Sequence, residues 1–298
     1  MRADLHVHSN ASDGTDPPAE VMRRAARAGL DVVALTDHDT VAGHAPARRA
    51  LDRQVVYRQM LDRQALDGQV SVGGLILVPG MELSCLLDGR SVHLLAYLFD
   101  ADDPELAAET RRVRDDRVLR ARAMVDRLAD LGVPIAWDDV AAIAGDAAVG
   151  RPHIARAMAA SGVIASPAQA FTPEWIADGG RAYIGRYALD PIRAIGLVRA
   201  AGGVAVLAHP RADRQLRVSD EQIARLAATG LAGVEVFHPD QPEAEQAGLL
   251  GLTRDLGLVA TGGSDDHGSL TGHRIGSYTT PAPAYESLLA EAGGIGRS

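Results

Sequence analysis

Seven short apolar runs punctuate this chain, at residues 3–7, 32–36, 75–79, 91–98, 204–209, 233–237 and 258–262. Segments with helical periodicity separate most of them. Alternating strands and helices build a parallel sheet with helical crossovers, and seven such strands predict a barrel. What stands at the strand ends narrows this further. The first run opens Asp4-Leu5-His6-Val7-His8. Residues two apart in a strand share a face, so Asp4, His6 and His8 project together. Two imidazoles so placed can chelate one metal ion, with a carboxylate beside them as ligand or as orienting acceptor. Solvated histidines on an ordinary strand fit the same motif, and the remaining runs decide between the two. The second run ends in Thr36-Asp37-His38-Asp39, Glu82 follows the third and the fourth carries His93. The fifth ends at His209, the sixth at His238, and the last runs into Gly263-Ser264-Asp265-Asp266-His267. In a barrel of parallel strands these ends converge on one mouth. Six of the ten histidines, His6, His8, His38, His93, His209 and His267, lie in or beside strand-like runs with acidic neighbours. Chance accounts poorly for so many.

At 298 residues the chain can bury a large core, as one domain or as a domain with an insert. From about Pro104 the apolar period changes from 2 to 3.6. Residues 100–180 are therefore expected to form an inserted helical subdomain, with 1–99 and 181–298 as the barrel. The insert carries Arg151-Pro152-His153. Arg151 and His153 suit an anionic ligand, and equally a surface arginine and a helix-start histidine. Asp16-Pro17 reads as a helix start with Asp16 as its cap. Leu-Asp-Arg-Gln recurs at 51–54 and 61–64, so 41–73 reads as a long helix or helix pair with a solvated charged face. The formal net charge of −9 argues against a broad nucleic-acid surface. The single cysteine, Cys85, excludes an internal disulfide. With no leader-like start and no long apolar run, a cytoplasmic location without membrane contact is expected.

Taken together, D-x-H-x-H at 4–8, T-D-H-D at 36–39, Glu82, His93, A-H-P at 208–210 and G-S-D-x-H at 263–267 resemble the PHP (polymerase and histidinol phosphatase) family. The helical insert with R-P-H-I-A at 151–155, and V-E-V-F-H-P at 234–239, are similar to its stand-alone phosphoesterases. That branch includes nucleotide 3′,5′-bisphosphate phosphatases and a 5′→3′ exoribonuclease active on short RNA. The resemblance implies an α/β fold, a distorted (β/α)7 barrel with an inserted helical subdomain, and three divalent ions: manganese, zinc or iron. His6, His8 and Asp265 would hold the first ion. Glu82 would bridge to a second, completed by His93 and His209. Asp13, His38 and His267 would hold the third. Asp4, Asp37 and Asp39 would accept from imidazole N–H groups. Asp266 stands where the family often has an aromatic residue, which would alter the pocket floor.

The implied activity is hydrolysis of a phosphate ester by hydroxide held between two metals. Asp265 would orient that hydroxide and accept its proton, and His238 would contact the substrate or assist the leaving group. Arg151, His153 and Arg186 would grip outer phosphates, although these three and His238 retain an ordinary structural reading. The expected substrate is a small phosphorylated nucleotide, most simply a nucleoside 3′,5′-bisphosphate losing its 3′-phosphate, with inorganic phosphate as product and no long nucleic acid as partner. Exoribonuclease action on short RNA, histidinol-phosphate hydrolysis and a non-catalytic metal-stabilised domain are the alternatives.

Overall fold

The computed structural model describes residues 1–52, 74–145, 149–212 and 217–295. The chain divides into two compact units, Met1–Ala108 with Leu189–Ser298, and Glu109–Ala188.

The first unit is a seven-stranded, nearly closed barrel. Its strands are β1 (Ala3–Val7), β2 (Val32–Leu35), β3 (Ile76–Leu87), β4 (Arg90–Tyr97), β5 (Val204–Leu207), β6 (Gly233–Phe237) and β7 (Val259–Gly262), each beside the next in chain order. β2 shows why such strands read as unbroken apolar runs. Its alternate residues Val32 and Ala34 enter a core shared with Leu5, Leu95 and Val206 and with Tyr285 and Leu288 of the C-terminal helix Ala282–Ile295. Val33 and Leu35 point the other way, against Val21, Met22 and Ala25 of the helix Pro18–Arg27. Both faces are buried, so neither tolerates polar residues.

Two features of the strands depart from the sequence reading. The seven strands are not all parallel: β4 runs antiparallel to both β3 and β5. The cause is local. Asp88 and Gly89 both have positive φ, 51° and 77°, between the paired residues Leu87 and Arg90. A two-residue loop of that conformation makes a tight hairpin, and Asp-Gly is its common sequence. The third strand also continues through Pro79-Gly80, where the run was expected to end. β3 pairs with β2 as far as Pro79 and with β4 from Gly80 onward. Proline and glycine there mark a change of partner, and Glu82 sits inside the strand rather than beyond it.

The helix start is also displaced by one residue. Pro17 is the N-cap of Pro18–Arg27, and the Asp16 carboxylate instead accepts from Arg24 Nη1 at 2.6 Å. Residues 44–52 are helical, while the rest of the expected 41–73 helix, from 53 on, lies outside the described residues.

The barrel closes between β7 and β1. The Asp265 N–H donates to the His6 carbonyl at 2.8 Å, and the His8 N–H donates to the Asp266 carbonyl at 2.9 Å. This approach is only open to glycine at 263, where an added Cβ would lie 2.4 Å from His6 Cβ and 2.7 Å from its nitrogen.

The second unit has its own core. Ala121, Met124, Val125 and Leu128, at helical spacing on Pro104–Asp130, meet Ile154, Ala157 and Met158 of the helix Arg151–Ala160 and Ile176 beyond it. No helix among the described residues is long and apolar enough to cross a membrane.

Gly263→Ala is expected to destabilise the chain by about 1–3 kcal/mol, the usual cost of forcing volume into a packed contact. Denaturant unfolding measures this, and an unchanged midpoint would show that β1 and β7 can separate freely.

Candidate metal centre

Carboxylates and imidazoles meet where the strands end. Glu82 is the common member, and both its oxygens are engaged. Oε2 lies 3.1 Å from His6 Nε2, 3.0 Å from His8 Nε2 and 3.4 Å from His38 Nδ1. Oε1 lies 2.7 Å from His93 Nδ1 and 3.2 Å from His209 Nε2. Asp265 Oδ1 stands 3.4 Å from both His6 Nε2 and His8 Nε2. Asp13 meets His267 Nε2 at 3.3 Å, His8 Nδ1 at 3.5 Å and His38 Nε2 at 3.7 Å. All nine expected ligands, His6, His8, Asp13, His38, Glu82, His93, His209, Asp265 and His267, are thus brought together. His93 reaches the mouth because β4 is reversed: it pairs with Ser84, two residues past Glu82. His38, His93, His209, His238 and Asp265 line a cavity of about 210 Å³.

The donor set fits divalent cations on three counts. Its atoms are oxygen and imidazole nitrogen, the donors that such ions take in mixed sites. The atoms of His6, His8, Glu82 and Asp265 that face one another are 3.0–3.4 Å apart in the measured pairs. Tetrahedral ligands at about 2.0–2.1 Å from an ion would be separated by about 3.3 Å. Finally, His93 Nδ1 is buried 2.7 Å from a Glu82 oxygen yet makes no hydrogen bond with it, and His38 Nδ1 is buried without a hydrogen-bond partner. Close approach without hydrogen-bond alignment is what donors aimed at a shared ion display.

Electrostatics point the same way. Burial alone would raise Glu82, but the imidazoles of His38, His93 and His6 hold it well below the usual carboxylate range. Burial would lower His6, and Glu235, Glu82 and Asp265 drive it well above the ordinary histidine value. His267 is raised to about 9, with Asp13 and Asp265 overcoming its burial. His38 goes down to about 4 because burial dominates there. A buried group of carboxylates is costly without positive charge, and divalent ions supply that charge while leaving the imidazoles neutral.

The acids expected to orient imidazoles also secure the strand ends. Asp4 accepts from the N–H groups of His6, Ser264 and Gly276, and Asp37 accepts from Ser9 and Ser12. Asp39, at φ 53°, accepts from the N–H and hydroxyl of Ser84. These hold the strand ends in place. The acid that meets His6 on the nitrogen facing away from Glu82 and Asp265 is Glu235, 3.0 and 3.2 Å from Nδ1. Burial would raise Glu235, yet His6, His238 and His209 keep it low and therefore ionised. An ionised carboxylate only accepts, so a His6 kept neutral by a divalent ion carries its proton on Nδ1 and would turn the Nε2 lone pair to the cluster. Glu235 Oε2 also accepts from the His209 N–H at 3.0 Å, so one carboxylate sets two of the expected ligands.

The other expected residues have local partners. His238 Nδ1 accepts from the Asp240 N–H at 3.0 Å, which places the proton of a neutral ring on Nε2, 3.3 Å from Asp265 Oδ2. Its side chain is almost fully buried. Asp266 is fully buried and accepts from Arg24, Gly268 and Arg274, so it does not form a pocket floor. In the helical unit, Arg151 Nη1 donates to Asp178 at 2.6 Å, and His153 Nδ1 accepts the Gly150 N–H at 3.0 Å as part of the helix cap. Arg120 is lowered by burial and by the nearby charges of Arg151 and Arg186.

A barrel whose mouth gathers imidazoles and carboxylates into overlapping divalent-metal sites defines a metal-dependent hydrolase. Comparison with known proteins narrows the class. A sequence profile of the PHP domain matches residues 4–86. A 5′-3′ exoribonuclease of Haemophilus influenzae is 32% identical over 265 residues, 89% of each chain. A 3′,5′-nucleoside bisphosphate phosphatase of Chromobacterium violaceum is 30% identical over 283 residues, 94% of this chain and 92% of that one. The crystal structure of a Bifidobacterium adolescentis protein described as a metal-dependent phosphoesterase superposes with a TM-score of 0.77 at 33% identity, covering 97% of this chain and 96% of that one. The chain belongs to the PHP family, and it is a metal-dependent phosphoric ester hydrolase.

Glu235→Gln should leave the fold intact and weaken metal binding by about 10–100-fold, the usual cost of losing an orienting carboxylate. Competition with a metallochromic chelator measures it. Unaltered affinity would mean that His6 needs no such partner.

Proposed function

We propose that this enzyme hydrolyses the 3′-phosphate of a nucleoside 3′,5′-bisphosphate, giving a 5′-mononucleotide and inorganic phosphate. The observation that carries the hydrolytic reading is the overlap of donor sets at Glu82. Of five donor groupings among the described residues, three consist of the expected ligands alone: His6 with His8, Glu82 and Asp265; Glu82 with His38 and His93; and Asp13 with His8, His38 and His267. Three ions are proposed on that basis, with Glu82 between the first and second. His209 would complete the second through its 3.2 Å approach to Glu82. Manganese, zinc and iron all suit these donors. Ions held there would polarise phosphoryl oxygens and acidify a water.

The chain's own residues define the rest. Glu235 fixes the His6 tautomer. Asp265 is held well below the usual carboxylate range, with burial opposing and His6, His238 and His267 prevailing. Its place beside His6 and His8 suits ligation and orienting the attacking water, whose proton it could accept. His238, with its proton on Nε2 facing Asp265, is a donor to that carboxylate, and from the cavity wall it would contact the substrate or assist the leaving group. The cavity is smaller than the roughly 300–1,000 Å³ of a whole-ligand pocket, which suits one reacting phosphoryl group. Arg151, His153 and Arg186 are the proposed contacts for the remaining anionic group.

The phosphatase relative from Chromobacterium violaceum supports the bisphosphate as substrate. The exoribonuclease relative, at similar identity, supports stepwise hydrolysis of short RNA from its 5′ end as the second reading.

Elemental analysis of protein prepared without chelator is expected to find more than one equivalent of divalent metal. One equivalent or none, with full activity, would overturn the three-ion site. In a substrate panel, the nucleoside 3′,5′-bisphosphate should show a higher kcat than the 3′-monophosphate and not only a lower KM, because binding of the remote phosphate positions the reacting one. Arg151→Ala should narrow that gap. Equal kcat/KM for the two removes the bisphosphate reading, and faster release of mononucleotides from 5′-phosphorylated RNA replaces it with exoribonuclease action.

A further inference from the structure

The segment after β7 returns a guanidinium to the donor cluster. We propose that Arg274 is a positioning residue that locks the Asp265 carboxylate with one oxygen turned toward the ion. The inference rests on Asp265 being a metal ligand.

The two oxygens of Asp265 have different company. Oδ1 lies 3.4 Å from each of His6 Nε2, His8 Nε2 and His267 Nδ1. Oδ2 lies 3.3 Å from His238 Nε2 and 3.5 Å from Arg274 Nη2. His238 presents an N–H there, because its other nitrogen accepts from Asp240. A guanidinium has only N–H to offer. Oδ2 thus faces two donors and Oδ1 faces the imidazole cluster, so rotation of the carboxylate by half a turn would exchange unlike surroundings.

Arg274 holds the main chain of the same residue. Its Nη2 donates to the Asp265 carbonyl at 3.0 Å. Asp265 has φ 49°, a left-handed conformation that residues with a Cβ adopt at a cost and keep only when their surroundings enforce it. One nitrogen therefore bonds the carbonyl and flanks the carboxylate of a single strained residue.

The guanidinium is itself fixed. Its Nη1 and Nη2 lie 3.5 and 3.4 Å from the Asp240 carboxylate. The Arg274 N–H donates to Asp266 Oδ1 at 2.5 Å. Asp266 is fully buried and also accepts from Arg24 Nη1 at 3.0 Å and from the Gly268 N–H at 3.1 Å. This ties the segment back to the helix Pro18–Arg27. Arg274 Nε is buried without a hydrogen-bond partner. An unsatisfied buried donor is unfavourable, so the contacts at the two terminal nitrogens keep the side chain in place. Those contacts are all to acceptors of the protein itself, which suits a positioning role better than a grip on substrate.

The test strips the protein of metal and measures Mn²⁺ affinity by chelator competition, with kcat and KM, for Arg274→Ala, Arg274→Lys and Asp265→Asn. Arg274→Ala should weaken Mn²⁺ binding by about 10–100-fold and lower kcat, with KM within about threefold. Arg274→Lys should recover part of the affinity but not all, because an ammonium cannot hold both Asp240 oxygens while it bonds the Asp265 carbonyl, as a planar fork does. Where the melting temperature of metal-free Arg274→Ala falls, Arg274→Lys carries the comparison, and wild-type affinity in that variant overturns the inference. If Asp265→Asn loses Mn²⁺ and both Arg274 variants bind it normally, the positioning role fails and the ligand role stands. If none of the three loses Mn²⁺, the ligand role of Asp265 fails. A loss confined to KM, with Mn²⁺ affinity intact, makes Arg274 a substrate contact and also overturns the inference.

Discussion

A single buried carboxylate sits at the centre of this protein's chemistry. Glu82 approaches His6, His8, His38, His93 and His209 within 3.4 Å. Alone in a dry interior it would be driven neutral; among these imidazoles it stays charged. The barrel is built to satisfy that demand. β3 must run through Pro79-Gly80 to deliver Glu82, β4 must reverse to deliver His93, and β7 must approach β1 closely enough for Asp265 to meet His6 and His8. The electrostatic demand of one group thereby connects strand direction, glycine placement and ligand geometry.

The surroundings show a division of labour among acids that share a formal charge. Asp4, Asp37 and Asp39 spend their oxygens on backbone N–H groups and hydroxyls. Glu235 spends one on an imidazole and one on a histidine's main chain. Asp265 divides its two between imidazoles and donors. What an acid does here follows from the hydrogen-bond donors that its strand end meets.

This division explains what could be read in advance. The histidines were legible because they are few, chemically distinctive, and repeatedly placed at strand ends with acids beside them. Their convergence needed only the rule that parallel strands share a mouth. Glu235 was not legible. In Val-Glu-Val-Phe it resembles any acid in a half-buried strand, and only the β1–β6 geometry aims it at His6. Arg274 lies in a glycine- and proline-punctuated stretch, and its target is fixed by Asp266, whose own role is tertiary. The direction of β4 was encoded locally in Asp88-Gly89, a hairpin signal that the alternation of strands and helices obscured. Arg151 and His153 have helix-cap and ion-pair roles that their sequence already allowed.

The closure of β7 on β1 has a temporal consequence. His6 and His8 belong to the first strand of the barrel and the residue after it, and Asp265 and His267 follow the last strand. Contacts that distant in sequence form late, because the whole intervening chain must be ordered before they are rewarded. Until β7 docks, these two imidazoles therefore lack the acid that completes their surroundings. The donor cluster is assembled only when the barrel has come full circle, so possession of the site reports that β7 has closed on β1.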